Sequence, residues 1–367
     1  MRVSSVVPAV ALVAATAVLA PPAHAAPPPV PACGAVLVSD ARLTADLTCP
    51  GGTGLTLAAG VTLDLGGHAL RGDGTGTGVL VPAAGDVTIR RGTVAGWGTG
   101  VASPPTGWEE DHDGTVTVER VRFEGNGEGI DGTSRIAGPT KTYAVSRSAF
   151  VDNGTGFSAL VGALTASRST FEGNDRVVGL DSGYALLEDS RVRGNGTVMS
   201  CYESGCDIRR STVEDNGTVV DAAFMTWVEV VDSTLRRNGT VVVNHGPYGL
   251  TTFERNRVVD STVGVDAGGT SAQVVDNTFR GNDVAFTAPA PWDPAQVTVT
   301  VVGNRFRDGG DGVLVPEGAV ELGDNEAVGN SRWGIHAPDA VDLGGNTARR
   351  NGNEPQCVGV VCGGPRS

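Results

Sequence analysis

Residues 169–174 read STFEGN, residues 190–195 read SRVRGN and residues 211–216 read STVEDN, each hexapeptide starting 21 residues after the last. A fixed period in this range marks a stacked repeat architecture. The apolar residue of the hexapeptide recurs as Phe123, Phe150, Phe171, Val192, Val213, Leu235, Val258, Phe279, Phe306, Ala327 and Ala348. Three residues later stands a second column, Asn126, Asn153, Asn174, Asn195, Asn216, Asn238, Ser261, Asn282, Gly309, Asn330 and Asn351. A third column leads by two: Val121, Ser148, Ser169, Ser190, Ser211, Ser233, Asn256, Asn277, Asn304, Asn325 and Asn346. Weaker copies at 55–67 and 87–94 carry the pattern towards Cys49.

Each repeat holds short runs rich in Val, Thr and Phe, broken by Asn-Gly, Asp-Ser and Gly-rich turns, which predicts about three short strands and no helix. Gly and Asn are expected to supply left-handed corners. Asn and Ser recurring at one corner can stack from coil to coil and satisfy backbone groups that a solenoid buries. A β-propeller needs repeats of about 40 residues or more, and the Leu and Asn frame of a leucine-rich repeat is absent.

On the 21-to-22-residue coil and the Asn and Ser columns, the chain resembles the right-handed parallel β-helix proteins of the pectate-lyase-like superfamily. The resemblance implies an all-β solenoid of about 12–13 three-stranded coils over 55–353. Residues 26–54 are then expected to form an N-terminal cap, and 354–367 a C-terminal cap or tail.

Composition agrees with an ordered, turn-dense fold: 54 of 367 residues are Gly, about twice average usage, while Pro is average. Acidic residues outnumber basic ones 41 to 27, a formal charge of −14 that argues against nucleic acid as a partner. Arg2, the apolar run 6–20 and Ala23-His24-Ala25 have the form of a signal peptide cleaved before Ala26. A secreted, extracellular protein with no membrane span, acting as a monomer, is expected. Six cysteines in an exported chain suggest three disulfides. In an extended rod, distant cysteines cannot come within the roughly 7 Å Cα limit, so the local pairs Cys33–Cys49, Cys201–Cys206 and Cys357–Cys362 are predicted. Zinc-type clustering of Cys and His is missing.

Four NGT triplets, at 153, 195, 216 and 238, match the glycosylation acceptor but fall in the Asn column, so they read as turns. GDGTGTG at 72–78 lacks a following helix pattern and also reads as a turn.

Chemistry is expected on the strand that follows the Asn column. Insertions at 102–114, 133–141 and 287–296 come just after that strand and should wall its edge. The fourth residue beyond the Asn column is apolar, so by period two the fifth and seventh face outwards. In five successive coils this gives a stripe of Asp181, Tyr202, Asp221, His245 and Asp266, about 20 Å long, with Trp227 nearby. These are either solvated strand residues or a saccharide trough; in a trough, Asp221, His245 and Asp266 are the expected catalytic groups, and Asp181, Tyr202 and Trp227 the expected sugar contacts. Asp221 and Asp266, two coils apart, should hold carboxyl groups roughly 9–10 Å apart, near the upper limit for an inverting glycosidase. In a lyase or epimerase, His245 would take the ring proton and Tyr202 donate on the other face.

Glu109, Glu110, Asp111, His112 and Asp113 offer oxygen ligands for calcium, the one cofactor the sequence suggests. Polygalacturonase and alginate-epimerase signatures are absent, as is an outward arginine matching that of pectate lyases, so no catalytic residue transfers by motif. The expected partner is a polysaccharide or cell-surface glycan. The chain is expected either to act on it, as lyase, hydrolase or epimerase, or to bind it as a non-catalytic carbohydrate-binding or cell-surface module. The acidic surface disfavours a polyuronate unless a cation neutralises it.

Overall fold

The computed structural model describes residues 31–104, 113–133, 141–290 and 296–363, and all regular elements among them are strands. The chain winds as the expected parallel β-helix. Its first face is a parallel sheet of 15 strands from Ala35–Leu37 to Cys357–Val358. A second face contains Ala163–Ser167, Tyr184–Glu188, Gly205–Arg209, Trp227–Val231 and Leu250–Glu254, and a third contains Thr170–Glu172, Arg191–Arg193 and Thr212–Glu214. The solenoid is longer than the 12–13 coils expected. Ala35–Leu37, Ala41–Arg42 and Leu47–Thr48, within the region assigned to a cap, already pair with Thr53–Leu57, Thr62–Asp64 and Ala69–Arg71. That first coil is short and weakly periodic, which hid it in the sequence.

The columns are the interior of the molecule. Phe123, Phe150 and Phe171 stack with ring centroids 4.7 and 5.0 Å apart, and Phe253, Phe279 and Phe306 with 6.0 and 5.2 Å. Such spacing matches the rise of about 4.8 Å between paired strands. Asn153 accepts at Oδ1 from the backbone N–H and the amide of Asn126, both at 3.0 Å. It donates from Nδ2 to Phe123 O (3.1 Å) and to Asn174 Oδ1 (2.9 Å). The bonding repeats at Asn174, Asn195 and Asn216. The Ser column does the same more simply, the backbone N–H groups of Ser148, Ser169, Ser190 and Ser211 each donating to the next coil's hydroxyl, as from Ser169 to Ser190 (3.1 Å). Buried backbone groups are thereby paired.

The corners depart from expectation in one respect. Left-handed φ at the corner between the second and third faces is carried by Arg147, Arg168, Asp189, Arg210, Asp232 and Arg255, and no described Asn has a positive φ. The buried Ser or Asn that follows each of these residues turns its side chain to the neighbouring coil, so the residue before it takes the turn. The Arg and Asp side chains at this corner pair between coils, Arg210 with Asp189 (2.9 Å) and Arg255 with Asp232 (2.8 Å).

All three cysteine pairs close as predicted, with Cα–Cα distances of 5.7, 6.7 and 6.2 Å. At the C-terminal end the core column Val230, Phe253, Val274, Val301, Leu322 ends on Asp342. The Asp342 carboxylate accepts from the N–H groups of Gly344 and Val361, both at 2.9 Å.

Candidate functional site

The pairing register divides the expected stripe into two rows. Asp181 pairs with Tyr202, Tyr202 with Ala223 and Ala223 with His245. Asp221 pairs with Val243 and Val243 with Asp266, on the row that also holds Gly179 and Ser200. Between Asp221 and Asp266 therefore lies Val243, not His245. The fifth and seventh residues beyond the Asn column both face outwards, but they sit about 6.6 Å apart along the strand. Trp227 opens a strand of the second face, around the corner from the others. Asp221 is exposed, whereas Asp266 Oδ1 accepts from the Gly268 N–H (2.9 Å) and shapes its own turn. Asp181 accepts from the Ser182 hydroxyl at 3.3 Å.

The corner beyond these strands is apolar and exposed. Tyr202, Met225 and Tyr248 stand out from it on three successive coils, with Leu160 two coils before Tyr202, and Phe224 stacks on Tyr202 with centroids 5.6 Å apart. Coils here lengthen from 21 to 22 and then 23 residues, and the extra residues fall between the first and second faces. They are pushed outwards because the strands on either side remain in register. Phe224 and Met225 adopt φ of 42° and 52° in succession, a conformation that costs bulky residues about 1 kcal/mol or more each. Buried Thr226 closes the turn by donating to Ala223 O at 2.6 Å. The Cys201–Cys206 disulfide spans the same corner one coil earlier, with both cysteines buried.

On the second face the structure assembles a group that the sequence columns did not reveal. Tyr184, Gly205 and Trp227 occupy one outward row on three successive coils. The Tyr184 hydroxyl donates to Asp207 Oδ2 (2.8 Å), Arg209 donates to the same oxygen (2.8 Å), and Arg209 Nε lies 3.0 Å from Glu229 Oε1. Asp207 and Glu229 are register partners. Burial pushes the Asp207 carboxyl up, against the lowering effects of Tyr184 and Arg209. Burial, reinforced by the bond to Asp207, pushes the Tyr184 phenol up to about 12. The sequence signal was there: Tyr184, Gly205 and Trp227 follow their Asn-column residues by 10, 10 and 11 positions. Following the columns past the corner would have exposed it.

Residues 105–112, 134–140 and 291–295 lie outside the described residues, and with them the cores of the three insertions and all of the acidic loop except Asp113. The calcium expectation therefore falls outside the described residues. Among the described residues no group of three or more His, Cys, Asp or Glu is arranged to hold a metal ion. Nor is any helix there long and apolar enough to cross a membrane.

The family model for the right-handed β-helix region matches residues 77–284, more than half of the chain. The chain belongs to the right-handed β-helix family. No curated protein matches it. Within this β-helix the matched span contains both outward rows, the apolar corner and the second-face group.

Proposed function

We propose that this β-helix is an exported protein that binds polysaccharide along the corner between its first and second faces. The observation that carries the proposal is the run of exposed Tyr202, Met225 and Tyr248, with Phe224 stacked behind, on neighbouring coils of a rigid rod. Aromatic faces take up the apolar side of a sugar ring. Asp181, Asp221 and His245 beside them offer hydrogen-bond partners to hydroxyl groups. Right-handed β-helices commonly act on or bind carbohydrate, which supports the class of ligand by analogy. Three disulfides suit an oxidising, extracellular setting.

A second reading, glycoside hydrolysis, is favoured by the shared row of Asp221 and Asp266 two coils apart. The row spacing supports a carboxyl separation of about 9–10 Å, at the wide end for an inverting pair. His245 stands two coils from Tyr202 on the other row, which would suit proton abstraction and donation in a lyase or epimerase.

The test is binding and turnover on a panel of neutral and acidic polysaccharides. The binding proposal expects Tyr202→Ala and Tyr248→Ala to weaken retention by about tenfold with the fold intact. Unchanged retention in both would overturn it. Sugar release that is abolished in Asp221→Ala, Asp266→Ala or His245→Ala would establish the catalytic reading, and no release by the unaltered protein would dismiss it.

A further inference from the structure

We infer that Tyr184 and Trp227 form a stacking platform for neutral pyranose rings on the second face, flanked by Glu229 and Arg209. The inference rests on the polysaccharide reading above and adds to it a second contact surface and a class of sugar. Tyr184 is 38% exposed and Trp227 56%, yet both lie on strands rather than on loops. Gly205 separates them on their shared row. A Cβ at Gly205 would come within 2.7 Å of Tyr184 Cδ2, so the tyrosine ring leans along the row over the glycine, towards Trp227. Any side chain at 205 would lift the ring away.

The ring is also pinned at its far end. Its hydroxyl is bound to Asp207, which is only 7% exposed and is held in turn by Arg209. A tyrosine fixed at both ends has lost its rotamer freedom before any ligand arrives, which lowers the entropic cost of stacking on it. Asp207 is thus a positioning residue, too buried to reach a ligand. Glu229 and Arg209 are about one-third exposed and stand beside the platform, one an acceptor and the other a donor. Sugar hydroxyls need both.

The charge around the platform selects the sugar. The one guanidinium beside the platform is already shared between Asp207 and Glu229, on a chain of formal charge −14, so a uronate would find that cation engaged and the surface around it like-charged. A neutral hexose polymer would not. The two rings belong to coils about 9.6 Å apart, and the lean of Tyr184 shortens that gap, so one chain laid along the solenoid axis can touch both.

The experiment uses the mature chain with laminarin, galactomannan and polygalacturonate as probes, measured by gel retardation and calorimetry, with thermal unfolding as the folding control. Trp227→Ala and Tyr184→Ala should each weaken binding of a neutral glycan by about tenfold, and Tyr184→Phe, which keeps the ring but loses its pin, by less. The platform is overturned if both alanine variants bind like the unaltered protein while Tyr202→Ala loses binding, an outcome that leaves the corner reading intact. Tighter binding of polygalacturonate than of both neutral glycans would overturn the sugar class. Failure of the unaltered protein to bind any of the three would remove platform and corner together. Should Tyr184→Ala unfold, exposed Trp227 still decides the matter.

Discussion

At the scale of the residue, most of the fold rests on a single asparagine side chain used again and again. Asn153, only 2% exposed, makes four hydrogen bonds through one carboxamide, three to the preceding coil and one to the next. Replacing it with alanine orphans the buried Asn126 N–H and takes one partner each from the Asn126 amide and the Phe123 carbonyl. Each unsatisfied buried group costs about 1–3 kcal/mol. Asn153→Ala should therefore lower the unfolding free energy by about 2–4 kcal/mol, read from urea unfolding. A loss under about 0.5 kcal/mol, the range of an ordinary surface substitution, would show that the ladder follows the fold and does not support it.

At the scale of the element, the three columns were legible because an interior position sees the same environment on every coil and so keeps the same residue type. Phe150, Ser169 and Asn174 each announce their neighbours 21 residues away. Outward positions carry no such constraint. Asp221 and His245 therefore looked like one stripe until pairing showed Val243 opposite Asp221. Likewise, the bond from Tyr184 to Asp207 spans 23 residues and depends on Gly205 being empty of side chain, a relation that no periodicity displays. The corner between these faces carries its own prediction. Cys201–Cys206 closes a short loop beneath Tyr202, worth about 2 kcal/mol by loop-closure entropy. Changing both cysteines to serine should lower the melting temperature and weaken glycan retention with it, since Tyr202 and its stacked partner Phe224 lose their footing. Retention unaltered at a temperature well below melting would separate the corner's shape from its covalent clip.

At the scale of the whole molecule, a solenoid has two open ends that invite further strands. Here the core column stops on a charge. Backbone N–H bonds from Val361 and Gly344 hold the Asp342 carboxyl below its ordinary value of 3.8. A group depressed in the folded state stabilises above its unfolded value and loses that contribution as pH falls through the folded one. The last coil should therefore open first in acid, visible as faster amide exchange at Val361 and Gly344 once the pH drops below about 4 while central coils stay protected. Asp342→Leu would continue the apolar column to the open end, and light scattering should then detect end-to-end association. A strictly monomeric variant would place the stop elsewhere.

The asparagine column also governs how the molecule ages. Asn153, Asn195, Asn216 and Asn238 are each followed by glycine, the pairing in which the glycine nitrogen most readily attacks the side-chain carbonyl to form a succinimide. In the folded chain those nitrogens are already committed, Gly154 to Asn126 O, Gly196 to Asn174 O, Gly217 to Asn195 O and Gly239 to Asn216 O, at 2.9–3.0 Å. Isoaspartate at these four positions therefore records how often the coils have come apart, a chemical clock written into the ladder that keeps them closed.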